Sequence, residues 1–191
     1  MKIKIRAINN IIKTYYRKFF NKSDFKRWST LNSYSKDWDS RTIKMAKLIS
    51  PNSKVIEFGA GRKVLKNHLP ENCSYTPSDI VDRGIETVVC DLNQKKLPIF
   101  KDYDYAVFSG VLEYVNDVPR LIRHLSNNID TFIISYAILK NDLVLKRGIH
   151  GWVNNFKEKE LITIFNNTGY KLLDNYNWLN QKIYIFKRVK K

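Results

Sequence analysis

The hydrophobic positions of this chain change period twice. Between Ile5 and Phe19 they recur at helical spacing, and Ile5, Ile8, Ile11, Ile12, Tyr15, Tyr16 and Phe19 share one face. Residues 22–40 are polar and aromatic, with Trp28, Tyr34 and Trp38, and read as a linker with a short helix that covers the domain. "SRTIKMAKLI", residues 40–49, is helical again and is stopped by Pro51. From there on, short apolar runs rich in β-branched and aromatic residues dominate. "KVIEFG", "SYTPSDIV", "ETVVCDL", "DYAVFSG", "DTFIISYAIL", "YKLLDNYNW" and "QKIYIFKRV" read as seven strands. Helical stretches separate several of them: "RKVLKNHL", "VLEYVNDVPRLIRHLS" with an internal Pro119, and "KEKELITIFNNTG" ending at Gly169. Strands alternating with helices predict an α/β domain, a Rossmann-like, seven-stranded, mainly parallel sheet with helices on both faces. The last two strands are joined by a turn at Leu179 and Asn180 too short for a crossover, so the C-terminal strand is antiparallel.

Charge changes this picture only at the ends. The chain has 191 residues and a formal net charge of +16. Residues 1–27 carry nine Lys/Arg and one acid, Asp24, while residues 182–191 carry five Lys/Arg and none. The segment between them holds 20 basic and 17 acidic residues and is an ordinary globular composition. The division is therefore a basic amphipathic extension over residues 1–37 and a domain over 38–191. Cys73 and Cys90 form no CxxC pair, so neither a zinc site nor a disulfide framework is expected, and a reducing cytoplasm fits. The N-terminal helix, with Arg6, Lys13 and Arg17 opposite its apolar face, has two uses. It can pack on its own domain with the cations in solvent, or residues 1–27 can lie on an anionic membrane, which would make the protein peripheral at the inner membrane face. Asn9, Asn10 and Lys13 interrupt any signal-peptide core.

Chemistry concentrates at the strand ends. Glu57, Gly59 and Gly61 follow the first strand in "VIEFGAGRKV", Asp79 ends the second and Asp91 the third. Glycines there let backbone approach a ligand closely, and in open α/β sheets ligands bind at the carboxyl ends of the strands. Three acids would repel a pyrophosphate, whereas they suit a ligand carrying an amine and a ribose. Lys63, where a third glycine would stand, also weakens a dinucleotide reading.

"VIEFGAG", "SDIV", "VVCDLN" and "YAVFSGVLEYVND", in this order, resemble class I S-adenosylmethionine-dependent methyltransferases, over about residues 38–188. The resemblance implies S-adenosyl-L-methionine as cofactor. By position, Glu57, Gly59 and Gly61 would line its methionine part and Asp79 would hold the ribose hydroxyls. Asp91 would receive the adenine amino group with Leu92 beside the ring, and Ser109 and Gly110 would close the crevice below the methyl. Only about six residues separate Asp79 from the next strand, so the second helix of the family is short or absent.

A hydroxyl acceptor needs a base. His68 and His124 read as surface residues, and His150, in "KRGIHGWVNNF" after the fifth strand, is the candidate catalytic base. Tyr136 and Trp152 are candidates to shape an acceptor pocket, and Glu113 and Tyr114 to border it. No cluster has metal-ligand spacing. The favoured acceptor is a small polar molecule, such as a sugar hydroxyl of a surface glycan or its precursor. RNA or protein methylation is the alternative, with nucleic acid disfavoured because the cations sit at the ends and "FSGV" stands where base-amine methyltransferases carry Asn-Pro-Pro-Tyr. A non-catalytic cofactor-binding protein of the same fold is a third reading.

Overall fold

Alternation along each strand sends neighbouring side chains to opposite faces of the sheet, and both faces are apolar. In the computed structural model, which describes residues 2–140 and 144–189, seven strands form one sheet. They are β1 (Lys54–Phe58), β2 (Ser74–Asp79), β3 (Val88–Val89), β4 (Tyr103–Ser109), β5 (Ile129–Tyr136), β6 (Tyr170–Trp178) and β7 (Gln181–Arg188). Ile56, Phe58, Phe108, Phe132, Ile134 and Phe186 face one side, and Val55, Val107, Ile133 and Ile183 face the other. Two-sided burial is what an all-parallel centre requires, because helices cover both faces.

The strand order is β3-β2-β1-β4-β5-β7-β6. β1 to β5 run parallel, and β7 inserts antiparallel between β5 and β6. The predicted architecture is thereby met. The strand order reverses between β1 and β4, so the crevice of this fold opens above Phe58 and Ser109.

Six helices accompany the sheet among the described residues: α1 (Lys2–Phe19), α2 (Phe25–Trp28), α3 (Asp39–Ala46), α4 (Val118–Leu125), α5 (Val144–Ile149) and α6 (Glu158–Asn166). α4 and α6 cover one face through Leu121, Ile122, Leu161 and Phe165, and Phe165 stacks on Phe186 at 4.0 Å. α3 covers the other face through Met45 and Ala46. Pro119 divides the helical stretch after β4. Leu112–Tyr114 is a 3₁₀ turn, and α4 starts anew with Asp117 accepting from the Arg120 amide at 3.0 Å and the proline in its first turn.

Three details depart from the sequence pattern. "RKVLKNHL" yields only a 3₁₀ turn at Leu65–His68. β3 keeps two residues of the predicted seven, as an edge strand beside Ser78 and Asp79. The stretch after β5, expected as a loop, contains α5, and α1 packs across it: Thr14 Oγ1 donates to Gly148 O at 2.8 Å, and a Cβ on Gly148 would stand 3.3 Å from Ile11.

Candidate functional site

The crevice at the β1/β4 switch gathers most of the sequence candidates. Glu57, Gly59, Asp79, Asp91, Leu92, Ser109 and Gly110 all line it. Gly61 does not line it directly. Its amide donates to Asp79 Oδ2 at 2.8 Å, and the Tyr34 ring lies over it. The turn after β1 is left-handed at three alternate positions, with φ +68° at Gly59, +48° at Gly61 and +57° at Lys63. Lys63 thus adopts the backbone a glycine would take freely, at a cost of about 1 kcal/mol. Gly59 is needed for contact as well as conformation, since a Cβ there would come within 2.6 Å of Val111.

The acids differ sharply in their surroundings. Glu57 is buried and accepts a hydrogen bond from Tyr75, but no ion pair among the described residues involves it. Burial raises its pKa to about 8, against the lowering effect of the Tyr75 hydroxyl and with a further push from Asp79. An acid held neutral by burial, with no cation beside it, ionises more readily when a cation is brought next to it. Asp79 is equally buried but satisfied, by the Gly61 amide on one oxygen and by Arg83, 3.4 Å away, on the other. Asp91 accepts from the Asn93 amide at 3.0 Å and from the Ser23 hydroxyl.

Ser23 belongs to a strap, residues 23–38, that crosses the crevice, and sequence patterning had assigned it only a covering role. Trp28, Tyr34 and Trp38 line the crevice from above. Arg83 ties the strap down, donating to the carbonyls of Trp28 and Ser29 while it pairs with Asp79. Burial and the neighbouring Asp79 push the Tyr34 hydroxyl up to about 12. Asn93 Nδ2 bridges Ser23 Oγ at 2.7 Å and Tyr114 O at 3.1 Å.

Arg41 was missed outright. It reaches from α3 to the end of β4, with Nε on Ser109 Oγ and Nη2 on Ser109 O, both at 3.0 Å, and Nη1 on Gln181 Oε1 at 2.7 Å. Its guanidinium closes over Gly110, where a Cβ would be 2.6 Å from Nη1. Gln181 passes the network to Glu113 Oε1 at 3.0 Å. Glu113 lies behind the crevice rather than on its border, fully buried, with its pKa raised by burial against the opposing pull of the Ala137 amide and of Arg41 and Arg147.

The structure places His150 outside the crevice. α5 carries it to the seam with α1, where it lines a separate polar pocket with Arg6, Lys13 and Arg27. Its pKa is lowered by burial and by Arg27 and Arg147. It therefore does not stand where a base for an acceptor in the crevice would. Tyr136 is a core residue, fully buried with its hydroxyl bound to Asn154 and Arg147. Tyr114 does line the crevice, and Trp152 donates to its hydroxyl at 3.1 Å.

Residues 30–175, which include the glycine turn, the three acids and Arg41, match the family model described as "Methyltransferase domain". The chain belongs to that family. The resemblance to class I S-adenosylmethionine-dependent methyltransferases read from the strand-end motifs is met at the level of both family and fold. A candidate O-methyltransferase from Nostoc punctiforme PCC 73102 superposes on this methyltransferase with a TM-score of 0.70 at 13% identity, over 96% of this chain and 71% of that one. Magnesium protoporphyrin IX methyltransferase from Synechocystis PCC 6803, with SAH bound, gives 0.63 at 19% identity, over 93% and 99%. The N-terminal domain of EvdMO1, in the presence of SAH and D-fucose, gives 0.56 at 12% identity, over 82% and 84%. At such identities the likeness is one of fold. No curated protein matches the sequence.

The crevice fits the family's cofactor on its own chemistry. Glu57 lacks a cation, which the amino group of S-adenosylmethionine carries, and Gly59 leaves the backbone bare beside it. Asp79 and Asp91 are acceptors suited to ribose hydroxyls and an adenine amine.

Proposed function

We propose that this methyltransferase transfers a methyl group from S-adenosylmethionine to an oxygen of a small polar acceptor, with a sugar hydroxyl of a surface glycan or its precursor as the favoured class. The observation that carries the reading is the crevice itself: an uncompensated buried acid, Glu57, and two further acids at the ends of adjacent strands, under a roof of Trp28, Tyr34 and Trp38. Indole and phenol rings offer flat apolar faces to the C–H side of a sugar, while Arg41, Thr42 and Tyr114 supply polar groups to the lining. The EvdMO1 domain, a relative by fold, was solved in the presence of SAH and D-fucose.

The cofactor, when bound, supplies an activated methyl. The chain's own part is positioning. Ser109, held by Arg41 and by Thr42 Oγ1 at 2.8 Å, fixes the floor of the crevice, and the strap excludes water. No histidine among the described residues lines the crevice, so the proton that the acceptor hydroxyl loses as its oxygen takes the methyl would pass to a carboxylate of the lining such as Asp39, with orientation carrying the rest of the rate. We place the enzyme in the cytoplasm, against the inner membrane face.

Calorimetric titration with S-adenosylhomocysteine, on the wild type and on Asp79→Ala, tests the cofactor site. Micromolar binding by the wild type, weakened at least tenfold in the variant, supports it and opens an acceptor screen beginning with glycans. No binding by the wild type sinks the enzyme reading.

A further inference from the structure

Amphipathic helices usually turn their apolar side to the core. α1 does the opposite. The residues it sets against the domain are Ala7, Asn10, Ile11, Thr14 and Arg17, a mostly polar seam closed by the Thr14 bond to Gly148. On the far side, Ile5, Ile8, Ile12, Tyr15, Tyr16 and Phe19 form a stripe roughly 100° wide, and every one of them is exposed, Ile12 by 61% and Phe19 by 83%. Phe20 and Phe25 extend the apolar surface beyond the end of the helix, each more than half exposed. Of the two uses open to this helix from its sequence, packing the apolar face on its own domain is not the one it adopts. A monomer gains nothing from holding this stripe in water.

Charge identifies the occupant. Arg6 and Lys13 flank the stripe on one side and Lys18 stands in the last turn of the helix, all exposed. Behind Arg6 and Lys13, Arg17, Arg27 and His150 complete a polar pocket in which Asp24, paired with Arg17 at 2.8 Å, is the one acid among the described residues. We infer that α1 docks this methyltransferase on an anionic lipid bilayer, with the six apolar side chains in the acyl boundary and the flanking cations at the level of the lipid phosphates. A second copy of the chain is the competing occupant. It is disfavoured because residues 1–27 carry nine Lys/Arg and one acid, so pairing two such helices would set cations against cations. No described helix is long and apolar enough to cross a membrane, so the helix lies on the surface rather than spanning it. The inference rests on α1 and does not depend on the identity of the acceptor.

The test is sedimentation of the full chain with vesicles of phosphatidylcholine alone or with about one-third phosphatidylserine. The expected result is binding at least tenfold stronger to the anionic vesicles, weakened by raised salt. Ile12→Glu with Phe19→Glu should abolish binding, and Arg6→Glu with Lys13→Glu should weaken it at least tenfold. All four positions are exposed, so thermal unfolding and S-adenosylhomocysteine affinity should match the wild type. That separates a failed docking face from a failed enzyme. Three results would overturn the inference: no wild-type binding to anionic vesicles, binding indifferent to the apolar substitutions, or a wild-type dimer by light scattering that these substitutions dissociate while vesicles stay unbound.

Discussion

If the cofactor's ammonium group docks beside Glu57 as proposed, binding should release a proton. A free glutamate ionises near pH 4.5, and in the fold this one holds its proton to about pH 8. Between those values the folded chain carries a proton that the unfolded chain has lost. The stability of the unliganded protein therefore falls as pH rises across the window, by up to about 1.4 kcal/mol per unit and roughly 5 kcal/mol in all. Docking an ammonium group beside the carboxylate reverses the preference, because the ionised form gains a partner. Near pH 7 about nine-tenths of the protein should release a proton on binding, and affinity should rise roughly 50-fold from pH 6 to pH 8 before levelling off. Calorimetric titration with S-adenosylhomocysteine in two buffers of unlike ionisation enthalpy reads this directly, since the released proton adds a different heat in each. Glu57→Gln should give equal heats and a flat pH profile. If the wild type itself gives equal heats near pH 7 with affinity independent of pH, the carboxyl is already ionised and the reasoning fails.

Gly61→Ala should cost about 1–2 kcal/mol in backbone strain at φ +48° and also displace the Tyr34 ring, whose Cε1 lies 2.4 Å from the added methyl. Thermal unfolding and titration should show at least tenfold weaker cofactor binding, whereas Gly84→Ala, at φ +98° with open space around it, should lose stability and keep its affinity. Arg41→Ala strips partners from Ser109 and Gln181 and should destabilise by roughly 2–4 kcal/mol, a fall of about 5–15 °C in Tm by calorimetry for a chain of this size. Arg41→Lys should recover only part of it, since an ammonium cannot span both partners.

What the sequence made legible was local. The central strands β1, β4 and β5 stand out because both their faces are buried and each is a short apolar run, and the crevice acids because they sit at fixed offsets from strand ends. Contacts that close the site were not legible. Ser23 meets Asp91, and Arg41 meets Ser109, across 68 residues of chain each, and no pattern within a segment reports such a meeting. Tyr34, Trp28 and Arg83 were visible as residue types but not as one clamp. His150 was misplaced for a related reason: the segment after β5 folds into α5, and the helix hands its C-terminal end to α1 instead of the crevice. For α1 itself, periodicity fixed which residues share a face but carried no information on what that face meets.

The insertion of β7 between β5 and β6 has a consequence for how the molecule is made. β5 is buried along almost its whole length, yet its outer edge stays without a partner until residues 181–188 have been synthesised and have turned back along β6. During that interval the nascent chain presents an apolar strand with open amides and carbonyls, the kind of edge that recruits other chains. The order of synthesis thus defers completion of the core to its final hairpin, and chaperone dependence and loss to inclusion bodies should track any substitution that slows that hairpin from closing.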